Sequence, residues 1–165
     1  RHNVIIWPFV SAFWADAAHS QGFKDIFSFE LLNLADLALK SNNCFYEIYN
    51  SETGAVDGGW QLDHQWNSVH DQTWSATGYI RMIFNNLFGM RFTPKGLTFN
   101  PDVELLNEYG VEKLCNLRYL NGRLNITVSG KGTKLAAVKV NGKTQSVKKP
   151  IAPADGITQI ELIIK

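Results

Sequence analysis

Cysteine is scarce in this chain. Cys44 and Cys115 are the only two in 165 residues. So few exclude a disulfide-rich scaffold, and two thiols cannot complete a four-ligand zinc site by themselves. They leave open one bridge or two buried free thiols. An excess of either charge is also missing, since 16 Lys and Arg stand against 15 Asp and Glu. Without a basic surface to displace counterions, nucleic acid is not an expected partner. No apolar run reaches the length of a bilayer span, so no membrane partner is expected either. There is no internal repeat and no low-complexity tract. No Gly-rich phosphate loop opens a helix, and no serine nucleophile elbow is present. No Met or signal peptide stands at Arg1, which reads as a piece of something longer or as a mature product. What is present is apolar substance. A hydrophobic fraction of 45% supports a packed core, and the length suits one ordinary domain or two small ones.

Hydrophobic spacing divides the chain in two. Trp7, Val10, Trp14 and Ala17 recur at helical intervals and predict a helix to about His19, with Pro8 in its first turn and Trp14 in the core. Gly22 separates it from a second helix marked by Phe23, Ile26, Phe27, Leu31, Leu34 and Ala38, so the two form an antiparallel hairpin. A long polar, aromatic loop spans 42–72. Ala76, Ile80, Ile83, Phe84 and Leu87 then predict a third helix over 73–88, with Gly89 as its stop and Asp71 or Thr73 as its cap. Beyond it the period changes to two. Leu97-Thr98-Phe99 reads as a short strand, Asn121-Gly122 and Asn141-Gly142 are hairpin signals, and a last strand covers about Gln159 to Ile164. The fold class is therefore α+β: a helical part, then a small antiparallel β-domain of five or six strands. Three helices with exposed-looking apolar faces do not close a core, so either the chain pairs with itself or further helices belong to the domain.

The loop is where chemistry concentrates. It holds Phe45-Tyr46-Glu47-Ile48-Tyr49, a turn from Asn50 to Gly54, and then Trp60, Trp66, Asp57, Asp63, Asp71, His64 and His70 before Trp74. Rings mixed with carboxylates and few lysines suit a neutral polar ligand such as a sugar. Glu47, alone among apolar and aromatic neighbours, is in poor solvent for a charge, which marks it as functional unless it points outward. Glu52 sits in the turn and reads as solvated. Asp57, Asp63 and Asp71 fit loop capping or the orientation of water and hydroxyls. His64 and His70, six apart, match no zinc spacing, and no metal is expected. Asn125-Ile126-Thr127 is a glycosylation sequon by pattern only.

The run Phe45-Tyr46-Glu47-x-Tyr49-Asn50-x-x-Thr53-Gly54, with Trp74-Ser75-Ala76 downstream, resembles the C-terminal catalytic segment of six-hairpin, (α/α)6-barrel glycoside hydrolases. It is most similar to glycoside hydrolase family 63, its trehalase-like relatives and bacterial debranching-type enzymes. His2-Asn3-x-x-Ile6-Trp7-Pro8-Phe9 resembles a substrate-side loop of such enzymes, and Leu87 to Phe92 followed by Gly96 to Pro101 resembles the exit into a C-terminal β-sandwich. The resemblance implies the last helices of such a barrel over 1–92, with a catalytic loop at 42–72, and an antiparallel β-sandwich over 93–165. It implies hydrolysis of an α-glucosidic or related glycan linkage with inversion, Glu47 being the general base. His2, Asn3, Trp7, Tyr46, Tyr49, Trp60 and Trp74 would bind substrate, although core packing is an equal reading for Trp74. No cofactor is implied. The partners are a carbohydrate and the remaining barrel helices, or a second copy on the same apolar surface. The compartment stays open, with a periplasmic or secreted bacterial setting ahead of a cytoplasmic one. Such barrels have twelve helices and three are legible here. The acid that protonates the leaving group maps onto no residue of this chain, so the chain by itself is expected to be inactive. The alternative is a non-catalytic carbohydrate-binding or structural module.

Overall fold

A proline, a glycine and two asparagines delimit the first helices. After a short strand, β1 (Ile5–Ile6), helix α1 (Pro8–Ser20) begins with Pro8, whose missing N–H would have had no intrahelical partner there. Helix α2 (Lys24–Lys40) ends where Asn42 and Asn43 turn left-handed at φ 58° and 62°, and the Asn43 N–H donates to the Ala38 carbonyl at 2.8 Å. The connection then carries β2 (Tyr49–Asn50), β3 (Trp60–Gln61) and β4 (His64–Gln65). Helix α3 (Thr73–Arg81) follows and runs into a π-helical turn at Met82–Leu87. The computed structural model describes residues 5–56, 60–61, 64–65, 67–152 and 154–165, and only the backbone at 60–61 and 64–65. Two compact units divide after Ile83, inside the π turn, whereas the sequence places the boundary after Phe92.

In the first unit α1 packs on both α2 and α3. It runs antiparallel to α2, with His19 near its end against Phe27 near the start of α2, ring centroids 4.8 Å apart. It runs parallel to α3. Phe9 meets Trp74 at 5.8 Å, Ala12 lies against Gly78, and Asp16 pairs with Arg81 at 2.9 Å, in the same order along both helices. The buried stripe of α1 is Pro8, Ala12, Ala15 and Ala18. This corrects the expected stripe, because Val10, Trp14 and Ala17 are exposed and Trp14 is 54% accessible. The reason is close approach. A Cβ on Gly78 would stand 2.9 Å from the Ala12 Cβ, and an interface that tight admits alanines and excludes an indole. Helix α2 buries Phe27, Leu31 and Leu34, as its spacing predicts, yet leaves Phe29, Leu32 and Leu39 exposed. Large apolar area thus stays uncovered on the helices of this unit. The third helix has about the expected length but is less regular, since the α-helical turns give way to π geometry over Met82–Leu87. Its N-cap is Gln72, with no side-chain cap bond, not Asp71 or Thr73.

The second unit opens with a hairpin, β5 (Met90–Thr93) and β6 (Gly96–Phe99), and a short helix, α4 (Val103–Glu108), capped by the Asp102 carboxylate on the Leu105 N–H. Strands β7 (Lys113–Tyr119), β8 (Gly122–Gly130), β9 (Leu135–Val140), β10 (Lys143–Gln145) and β11 (Gly156–Ile164) form one five-stranded sheet in the order β10-β9-β11-β8-β7. The sheet is mixed. β11 is antiparallel to β9 but parallel to β8, pairing Gly156 with Gly122 through to Ile164 with Gly130. That corrects the purely antiparallel expectation. The last strand inserts between β8 and β9 and completes both ladders, burying Thr158, Ile160, Leu162 and Ile164 on one face. Asn141 and Gly142, at φ 48° and 80°, make the expected two-residue turn. The earlier hairpin instead turns on Leu120 and Asn121, with Gly122 already in the strand. The sequon asparagine is engaged in this sheet, its side-chain oxygen accepting from the Asn116 N–H at 2.8 Å. Leu97 and Ile151 exchange two backbone hydrogen bonds, at 2.9 and 2.8 Å, and tie the β5–β6 hairpin to the segment before β11.

Two predictions follow from the helix packing. Gly78→Val should destabilise the chain by about 1–3 kcal/mol through overpacking, and Ala12→Gly should recover part of that loss; denaturant titration of the single and double variants measures both. Glu30, half-buried on α2, has its carboxyl raised above the ordinary value by burial, with the Ser11 hydroxyl bond partly opposing. A raised folded value means that the folded chain holds this proton more tightly than the unfolded one. The contribution is full below the unfolded value and is lost as pH rises through the folded value. Glu30→Gln is therefore expected to raise Tm at about pH 7 and to change little at about pH 3.5. An equal gain at both pH values would contradict this account.

Candidate active site

The Glu47 segment is held from both sides. On one side β1 pairs antiparallel with β2, placing Ile6 opposite Tyr49 and Ile5 opposite Asn50. On the other, the chain returning to α3 runs alongside. The Gln72 N–H donates to the Phe45 carbonyl at 2.7 Å, and the Glu47 N–H donates to the Val69 carbonyl at 2.8 Å. The Ser68 hydroxyl accepts from the Ile48 N–H at 2.9 Å and donates to the Ile48 carbonyl at 2.7 Å. The segment then leaves through a turn in which the Asn50 side-chain oxygen accepts from the Glu52 and Thr53 N–H groups, so Glu52 is exposed as expected of a turn. Glu47 is half-buried, between half-buried Tyr46 and buried Ile48.

The flanking tyrosines differ. Tyr49 is 1% accessible; its hydroxyl accepts from the Tyr46 N–H at 3.0 Å and shares a hydrogen bond with the Ser41 hydroxyl at 3.2 Å. It serves as a strut beneath the segment. Tyr46 meets Tyr49 and His70 edge-on, with centroids at 6.2 and 5.2 Å.

β1 leads directly into α1, and residues 67–72 lead directly into α3. The first turns of both helices therefore adjoin the clamp, and their rings form a row. Phe9 lies 5.8 Å from Trp7, 5.8 Å from Trp74 and 6.4 Å from Phe13, all edge-to-face. Trp74 is 64% accessible and, with Phe9, Phe13, Thr77, Gly78 and Arg81, lines a pocket of about 350 Å³. Arg81 closes it, its guanidinium 5.1 Å from the Phe13 ring and bonded to Asp16. A larger apolar groove of about 680 Å³ runs between α2 and α3, from Leu39 and Ala38 across to Ala76, Tyr79 and Ile80, with Cys44, Phe45 and Asp71 at one end. Burial raises the Tyr79 phenol above its ordinary value. Glu47 lines neither cavity.

One cluster of metal-ligating atoms stands out among the described residues. A ligand atom from each of Cys44, His70 and Asp71 lies within 4.8 Å of the others. The Cys44 thiol donates to the Ser41 carbonyl at 2.9 Å, and His70 Nδ1 lies 2.6 Å from the Asp71 carboxylate. Cys44 and Cys115 are both free thiols.

Of the sequence-predicted residues, Glu47, Tyr46 and Tyr49 share the clamped segment, while Trp7 and Trp74 join through Phe9. His2, Asn3, Asp57, Asp63 and Trp66 lie outside the described residues, as do the side chains of Trp60 and His64. Sequence reasoning assigned no role to Phe9, Ser68 or Arg81. Phe9 was within reach, since Phe13 follows it at i+4 on a helix. Ser68 carries no such signal, because its partners are backbone atoms brought up by a chain reversal. Comparison with protein-family models finds no match, and comparison with curated proteins finds none either.

Ser68→Ala removes a hydroxyl that satisfies two backbone groups in a part-buried setting. It should lower stability by about 1–3 kcal/mol, read by urea unfolding, and should accelerate amide exchange at Ile48. Unchanged exchange at Ile48 would show that the clamp does not depend on this hydroxyl.

Proposed function

We propose that this chain is the C-terminal part of a six-hairpin glycoside hydrolase that cleaves an α-glucosidic or related glycan linkage with inversion. Glu47 is its general base. The observation that supports the reading is the parallel setting of α1 and α3, whose starts carry Trp7, Phe9 and Trp74 and adjoin the backbone clamp that holds Glu47. The motif resemblance adds the role. In an inverting reaction one carboxylate takes a proton from water as that water attacks the anomeric carbon, and a second carboxylic acid, roughly 6.5–9.5 Å away, protonates the departing oxygen. Glu47 suits the first task, since backbone bonds to β1 and to the returning chain fix its segment and its side chain is half-buried. The acid belongs to the remaining barrel helices, for which the exposed apolar residues of α1 and α2 offer a seat. The sugar stacks on the aromatic row, with Trp74 the most accessible platform.

In the polypeptide carrying the rest of the barrel, Glu47→Gln is expected to lower turnover of an α-glucoside by about 10²–10⁴-fold with sugar binding retained. Turnover within a few-fold of the parent would remove Glu47 from the role. A second reading, a carbohydrate-binding module without turnover, is favoured by the exposure of Trp74 alone. It is distinguished by a chain that shows no turnover and whose sugar binding survives Glu47→Gln but is abolished by Trp74→Ala.

A further inference from the structure

We propose that Cys44, His70 and Asp71 form a binding site for one borderline divalent cation of the zinc class, a clip that closes the long loop at its base. It is independent of the glycosidase reading. Three different donors, a thiol sulfur, an imidazole nitrogen and a carboxylate oxygen, converge within 4.8 Å. Donors sharing a tetrahedral zinc stand roughly 3.3–3.6 Å apart, so the widest separation closes by at most about 1 Å while the His70–Asp71 pair, now at 2.6 Å, opens by somewhat less.

The donors are preorganised by the backbone. Cys44 directly precedes Phe45, and Asp71 directly precedes Gln72; Phe45 and Gln72 are joined by the 2.7 Å hydrogen bond. The Cys44 N–H donates to the Ser41 carbonyl, Asp71 is set in a left-handed conformation at φ 55°, and Tyr46 packs edge-on against the His70 ring. A proton sits on the Cys44 sulfur, directed at the Ser41 carbonyl, and His70 and Asp71 approach within 2.6 Å of each other. A cation displaces the thiol proton, and any proton held between imidazole and carboxylate, to solvent.

The chemistry of the donors selects the metal. Sulfur with nitrogen favours zinc-like ions over magnesium or calcium, and three protein ligands leave one position for water. His70 and Asp71 are exposed and Cys44 is partly so, which gives the ion a path. The clip spans the connection 45–69 and so ties the end of α2 to the start of α3, on either side of Glu47. Sequence spacing hides such a site because Cys44 is remote from the other two residues along the chain.

The test uses the full chain, reduced and treated with chelator, titrated with Co²⁺ and then with Zn²⁺. The expected result is one Co²⁺ per chain with a near-ultraviolet thiolate-to-cobalt band that Zn²⁺ bleaches. Cys44→Ser loses the band and Cys115→Ser keeps it. His70→Ala weakens binding by more than the roughly 10–100-fold typical of losing an outer-shell partner. Zn²⁺ raises the Tm of the parent and not of Cys44→Ser. These side chains are not core residues, and circular dichroism without metal verifies that the variants fold. Absence of stoichiometric binding at millimolar metal, or a thiolate band that survives Cys44→Ser, overturns the proposal.

Discussion

The helical unit depends on one constraint: the backbone of residues 45–50 is pinned along its length, Phe45, Glu47 and Ile48 by the chain that returns into α3, and Tyr49 and Asn50 by β1. A single extended segment between two helices has no intrinsic reason to hold still. Two partners bond several of its N–H and C=O groups, and they also adjoin the starts of the neighbouring helices. β1 ends one residue before α1, and Gln72, which bonds Phe45, is the N-cap of α3. Clamping the segment therefore sets two helix origins beside it.

Small residues determine what those helices show to solvent. Where Ala12 faces Gly78 the two backbones come close, and Val10, Phe13 and Trp14 of α1 stay exposed. The aromatic row from Trp7 through Phe9 to Trp74, and the exposed Phe13 and Trp14, follow from this geometry. Such a surface is characteristic of an element that has further neighbours or a ligand to meet.

The sheet unit obeys a different economy. Its hairpins are specified by adjacent residues, but its central strand comes from the chain terminus. β11 enters between β8 and β9 because Ile160, Leu162 and Ile164 bury on the same face as Leu124 and Ile126, and both flanking ladders are satisfied together. The Lys139–Glu161–Ser129 contacts, at 2.9 and 2.7 Å, lie across this junction and depress the Glu161 carboxyl, first through the Ser129 hydroxyl and then through Lys139.

Local signals in the sequence determined the α+β class, the two-part order, the α1–α2 hairpin around Gly22 and the Asn141-Gly142 turn. Each depends on residues within one turn or one short loop, where periodicity and left-handed φ act directly. The half-buried setting of the 45–50 segment was suggested by its apolar and aromatic composition for the same reason. The tertiary structure alone decided which stripe of α1 is buried, because both stripes are apolar and only the approach of α3 tells alanine from tryptophan. It alone made the sheet mixed, since strand insertion is a non-local choice between equally alternating sequences. It alone brought Cys44 to His70 and Asp71 and Ser68 to Ile48, because residues far apart in the chain meet only once the backbone has folded back and pinned them.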